Sequence, residues 1–138
     1  MTLNTEKNVT EVAAALFVRD GRFLICQRPE GKKRGLLWEF VGGKWESGET
    51  GPEALIRECR EEMGIAVTVG SLYAQVVHEY PDITVRLSVY RAFLTGEEPK
   101  MLEHNAMAWI TPEEIDRYEF CPADEPILRK IRQKGINE

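Results

Sequence analysis

Apolar and polar positions change rhythm several times along this chain, and each change marks an element. Val9–Arg19 (VTEVAAALFVR) is a nearly continuous apolar run, as expected of a buried strand. Asp20-Gly21 is a two-residue hairpin signal, and Arg22–Arg28 (RFLICQR) reads as the returning strand. Over Pro29–Leu37 the pattern gives way to Gly, Pro and cations, which predicts a loop. Trp38–Lys44 (WEFVGGK) reads as one short strand. From Thr50 the period becomes helical. Leu55, Cys59 and Met63 fall at i, i+4 and i+8, with Ile56 and Ala66 beside them. Thr50 and Glu53 have capping-box spacing, Pro52 suits a first turn, and Gly64 stands where a left-handed residue would end the helix. Ala66–Val69 reads as extended. Ser71–Tyr80 and Thr84–Leu94 alternate around Pro81-Asp82 and predict an antiparallel pair. Gly96–Leu102 is a polar loop, and Glu103–Ile110 becomes a strand at its end. Thr111-Pro112-Glu113-Glu114 opens a short helix, and Asp124 starts the last one, with Gly135 beyond it.

This order of strands, helix, strands and terminal helix predicts a mixed sheet with helices, an α/β or α+β fold. A length of 138 residues suits one compact domain, expected over residues 9–138 behind a frayed tail at 1–8. The net charge of −5 argues against a protein that forms a stable complex with nucleic acid, but not against a small anionic substrate met through a cation. Cys26, Cys59 and Cys121 form no C-x-x-C pair and lie in apolar surroundings. They read as reduced core thiols of a cytoplasmic protein. No segment has transmembrane length, so no membrane partner is expected. Monomer and homodimer both stay open.

The first helix carries more than a core face. Glu58, Glu61 and Glu62 stand at i, i+3 and i+4 and share one patch beside the apolar stripe. Three like charges so placed repel unless a hard cation joins them, and Mg²⁺ or Mn²⁺ prefers carboxylate oxygen. On their own they would also suit a solvated acidic helix.

The wider pattern decides between these readings. Gly43, Glu49, Arg57, Glu58, Cys59, Glu61, Glu62, Gly64 and Ile65 fit G-x5-E-x7-R-E-U-x-E-E-x-G-U, where U is apolar. Seven fixed identities arise by chance at roughly 10⁻⁸ per starting position. The chain therefore resembles the Nudix hydrolases, and its flanks resemble the MutT-like members most. Those flanks are RFLICQR, the E-Y-P-D turn, the strand from Glu103 to Trp109, and F-C-P-A-D-E-P.

The resemblance implies an α/β/α sandwich and a set of roles. Glu58, Glu61 and Glu62 would hold Mg²⁺ or Mn²⁺, with Glu58 also the general base on the attacking water. The carbonyl of Gly42 would add a ligand, although Val41 stands where the family commonly has proline. Glu103 would be the fourth carboxylate, or else a plain loop residue. Gly43, Glu49, Arg57 and Gly64 would be structural, with a Glu49–Arg57 pair pinning loop to helix, or two separate surface charges instead. Arg28 matches an arginine that MutT-like proteins use near substrate phosphates, a task suited to its fork of donors. Lys32, Lys33 and Arg34 could serve the same phosphates or only solubility. His78 reads as a strand residue and His104 as a surface or hydrogen-bonded histidine. Asp124 stands where MutT has an asparagine that reads an oxidised guanine. Ionised, it would accept from an exocyclic amine; protonated, it could serve an oxidised purine; or it could only cap the last helix.

The expected activity is Mg²⁺-dependent hydrolysis of a nucleoside triphosphate, oxidised or otherwise modified, to the monophosphate and pyrophosphate, as in nucleotide-pool sanitation and 8-oxo-dGTP diphosphatase activity. Two alternatives stay open: cleavage of ADP-ribose, a nucleotide sugar or a dinucleotide, and a non-catalytic nucleotide-binding regulator.

Overall fold

Residues 9–136 are described by the computed structural model; the tail expected over Met1–Asn8 lies outside them. The elements are β1 (Val9–Arg19), β2 (Arg22–Gln27), β3 (Trp38–Glu39), β4 (Gly42–Lys44), α1 (Gly51–Met63), β5 (Val67–Glu79), β6 (Thr84–Leu94), β7 (Ala106–Ile110), two 3₁₀ turns (Pro112–Arg117 and Pro122–Asp124), and α2 (Glu125–Lys134).

The long apolar β1 is central because both its edges and both its faces are covered. One edge pairs in parallel with β6 from Val9 to Phe17. The other pairs antiparallel with β4 at Val12–Ala14, then with β2 at Val18–Arg19. β6 continues antiparallel to β5, and β2 to both β3 and β7. Alternate residues of β1 feed two cores. Ala14 and Leu16 join Phe23, Ile25 and the α2 residues Ile127, Leu128 and Ile131. Ala13, Ala15 and Phe17 join Leu24 and the α1 residues Leu55, Cys59 and Met63. The two helices thus cover opposite faces of a mixed sheet, the layered fold expected. Fully burying side chains such as Ile127 and Leu128 contributes about 1.5–3 kcal/mol each.

Local signals materialise where they were strongest. Asp20 and Gly21 both have positive φ, 54° and 77°, as a two-residue hairpin requires. The capping box of α1 forms in both directions: Glu53 N–H donates to Thr50 Oγ1 at 3.2 Å, and Thr50 N–H to the Glu53 carboxylate at 2.9 Å. Gly64 is left-handed, and its N–H donates to the Arg60 carbonyl at 3.0 Å. Among the described residues no helix is long and apolar enough to cross a membrane.

Four expectations change. Trp38–Lys44 is not one strand. It splits at Phe40 and Val41, because the chain leaves β2 for β1 there and Val41 O accepts from Ala15 N–H at 2.9 Å. Ala66–Val69 and Ser71–Tyr80 are not separate pieces but one strand, β5, with register irregularities between Val69 and Ala74. Ile56 does not join the apolar face of α1 and is 42% exposed. Asp124 precedes α2 but is helical in φ and ψ and makes no side-chain cap hydrogen bond, so capping is not its role. All three cysteines are free and buried, and burial pushes the Cys59 and Cys121 thiols up to about 12.

Candidate active site

Arg57 organises the acidic face of α1. Its Nε donates to Glu49 at 2.7 Å and its Nη2 to the other Glu49 oxygen at 3.0 Å. The Nη2 also donates to the Lys44 carbonyl at 2.9 Å. Its Nη1 reaches Glu58 at 3.1 Å and Glu61 at 3.2 Å. The expected Glu49–Arg57 pair is therefore present and bidentate. It ties the loop before α1 to the helix and the end of β4. These contacts lower the Glu49 pKa and raise that of Arg57, with the hydrogen bond between the two as the largest cause in each.

β4 passes directly beside this face. Any Cβ on Gly43 would collide with the Glu58 carboxylate, and one on Gly42 with the backbone of Ala13. The two glycines thus let the strand, the helix acid and β1 meet without intervening side chains.

A cleft of about 470 Å³ opens here. Glu58, Glu62 and Glu103 line it, together with Arg28, Lys32, Lys33 and Arg34. Phe40, Val85, Leu87 and Ala123 supply apolar surface, and Asp124 also lines it. Of the expected residues, Glu61 does not line the cleft; its carboxylate is 51% exposed and paired with Arg57.

Two residues matter more than their sequence context suggests. Glu39 accepts from Arg28 Nη1 at 3.1 Å. His104, read as a surface or hydrogen-bonded residue, has a side chain only 5% exposed; its Nε2 lies 3.6 Å from Glu39 and 3.8 Å from Glu62. A lone acid between two aromatics, W-E-F, was the available signal for Glu39. Glu62 is held well above the usual carboxylate range, first by burial, then by the charge of Glu58 and a hydrogen bond to it, then by Glu39 and Glu103.

Backbone pairing fixes Asp124. Trp38 N–H donates to Glu119 O at 2.8 Å, and Cys121 N–H to Trp38 O at 2.9 Å, so this segment rides on β3. Ala123 N–H donates to the Tyr80 hydroxyl at 2.9 Å. The Asp124 residue is 4% exposed. Burial raises its pKa well above the ordinary value, Glu39 and Glu125 add to this, and Arg28 opposes it. Arg34 closes over the same region, 4.0 Å above the Tyr80 ring and 3.0 Å from Asp82.

Comparison with known sequences decides the family: a model of the NUDIX domain matches residues 12–130. The chain belongs to the Nudix family. This Nudix hydrolase is 41% identical over 118 residues to the CTP pyrophosphohydrolase of Escherichia coli (strain K12), covering 86% of this chain and 87% of the relative. It is 31% identical over 133 residues to the 8-oxo-dGTP diphosphatase of Haemophilus influenzae, covering 96% and 98%. Its fold superposes on the solution structure of the E. coli ORF135 protein with a TM-score of 0.76, at 39% identity, covering 88% of this chain and 87% of the other. It is an enzyme of nucleotide hydrolysis with a MutT-like fold.

Nudix hydrolases generally use divalent metals such as Mg²⁺. The donors of this hydrolase suit such an ion. Glu58 and Glu62 are hard oxygen groups drawn together in the cleft, and Glu62 Oε1 is buried without a hydrogen-bond partner. Among the described residues no three acidic, imidazole or thiol groups are already gathered around one point. Arg57 holds Glu61 and one oxygen of Glu58.

Proposed function

We propose that this Nudix hydrolase cleaves a nucleoside triphosphate between its α and β phosphates, giving the nucleoside monophosphate and pyrophosphate, with Mg²⁺ or Mn²⁺ as cofactor. One observation carries the reading. A single cleft presents paired carboxylates, a cationic loop and a buried carboxyl group, matching in turn the reaction centre, the phosphates and the base.

Glu58, Glu61, Glu62 and Glu103, with the Gly42 carbonyl, are the groups that would hold the metal. When bound, it supplies positive charge against the phosphate oxygens. The chain's own residues do the rest. Glu58, oriented by Arg57, takes the proton of the attacking water. The water oxygen joins one of the two phosphorus atoms and the phosphoanhydride bond between them breaks, giving the monophosphate and pyrophosphate. Arg28, held at the loop by its Nε–H to Lys33 O at 2.9 Å, offers its remaining donors to phosphate oxygen. Asp124 reads the base. Burial favours its neutral form, which both donates and accepts and so matches the amine and ring nitrogen of cytosine. The name of the 41% identical E. coli relative supports a cytidine nucleotide. Relatives named for 8-oxo-dGTP support an oxidised purine as a second substrate that a neutral acid also suits.

The test is a steady-state panel of CTP, dCTP, 5-methyl-dCTP, UTP, dGTP, 8-oxo-dGTP, ADP-ribose and a nucleotide sugar with Mg²⁺. Fastest pyrophosphate release from a cytidine nucleotide is expected. Cleavage of ADP-ribose or a nucleotide sugar to two monophosphates, with no triphosphate consumed, would overturn the reading.

A further inference from the structure

The loop that carries His104 is tied down on both sides. Lys100 N–H donates to Met63 O at 3.0 Å and Leu102 N–H to Glu62 O at 3.2 Å, fixing it to the end of α1. Asn105 N–H donates to Gln27 O at 2.9 Å, and the Asn105 side chain to the Gln27 side chain at 2.6 Å, fixing it to the end of β2. Between these ties the imidazole has almost no exposure, and its Nε2 faces two carboxylates. At 3.6 and 3.8 Å it bonds neither as it stands, and each distance is less than about 1 Å beyond hydrogen-bond length. Nε2 carries one hydrogen at most, so it serves one acceptor at a time. Glu39 already has Arg28. Glu62 Oε1 is buried and has no hydrogen-bond partner, and so is the unmet acceptor.

We propose that His104 is a positioning residue for hydrolysis: its Nε2–H holds Oε1 of Glu62, leaving the second oxygen of Glu62 to face the cleft. Glu39, pinned by Arg28, walls the imidazole on its other side; both carboxylates face Nε2 while Nδ1 is buried without a partner, which favours hydrogen on Nε2. This role rests on Glu62 holding a divalent ion. Partners that orient a ligating group typically change metal affinity by about 10–100-fold when lost.

The experiment compares wild type, His104→Leu and His104→Gln. Mn²⁺ affinity is read by electron paramagnetic resonance on nucleotide-free protein, alongside kcat, KM and melting temperature. Leucine removes the donor at similar bulk, whereas glutamine keeps an N–H. In His104→Leu the Mn²⁺ dissociation constant is expected to rise by about tenfold or more and kcat to fall in step, with KM for the nucleotide within about twofold. In His104→Gln most of both losses should be recovered. Wild-type Mn²⁺ affinity in the leucine variant, or equal loss in both variants, would overturn the positioning role while leaving the hydrolase reading intact. Absence of Mn²⁺ binding in the wild type would overturn both. Should the leucine variant melt early, the glutamine variant decides alone: near-wild-type affinity supports the role, and a loss of about tenfold refutes it.

Discussion

Replacing Asp124 by asparagine should make this protein more stable, and increasingly so as pH rises. The reasoning starts from burial. Asp124 is 4% exposed, spends no side-chain bond on capping α2, and has Glu39 and Glu125 near it with only Arg28 to offset them. Its folded pKa is therefore raised well above that of an unfolded aspartate, about 3.9. Between the two values the folded chain holds one more proton than the unfolded chain. Stability then falls as pH climbs through that window, by about 1.4 kcal/mol per pH unit, and levels off above the folded pKa. Asparagine does not titrate, so its profile lacks this slope. Urea unfolding of both proteins at pH 5, 6, 7 and 8 measures the difference. Subtracting the profiles cancels the other titrating groups, Glu62 among them. The gap should widen in favour of asparagine by up to about 1.4 kcal/mol per pH unit, or about 5 °C of melting temperature at this chain length. Parallel profiles would show that the carboxyl group has the same proton affinity folded and unfolded, and would refute the argument.

Glu58→Gln should cut turnover by about 10²–10⁴-fold, with a melting temperature equal to or above wild type because a like charge beside Glu62 is removed; a steady-state assay with parallel melting checks both. Gly43→Ala should lower kcat by more than about tenfold, since the new methyl collides with the Glu58 carboxylate, and circular dichroism should show the fold retained. Arg57→Lys keeps the charge but cannot span both Glu49 oxygens and the Lys44 carbonyl, so activity should fall and salt should not restore it.

What the sequence made legible was local. Most of α1 could be read, including its cap, its left-handed stop and its acidic patch but not the exposure of Ile56, because each signal lies within four residues of its partner. The Glu49–Arg57 pair, eight positions apart, was expected from the family resemblance rather than from local spacing. The break in Trp38–Lys44 was not, because it arises when Val41 finds Ala15, 26 positions away, an exchange of partner that periodicity does not encode. Glu39 was passed over because its partners are Arg28 and His104, and nothing in W-E-F announces them. His104 follows the expected glutamate directly, yet its burial depends on three backbone hydrogen bonds to distant elements. Asp124 was singled out with capping as one alternative; only the helical backbone at that position removes it.

The fork in β1 has a further consequence. Because that strand exchanges β4 for β2 halfway along, the machinery divides between two neighbourhoods. Helix α1, packed beside β4, carries Glu58 and Glu62, whereas Arg28 follows β2, Glu39 lies on β3 and Asp124 on the segment riding on β3. Glu39 reaches the first group through His104, but substitutions around Asp124 need not disturb it. Such a scaffold can change which nucleotide it accepts while the bond-breaking apparatus stays as it was, so selectivity can diverge without reinventing hydrolysis.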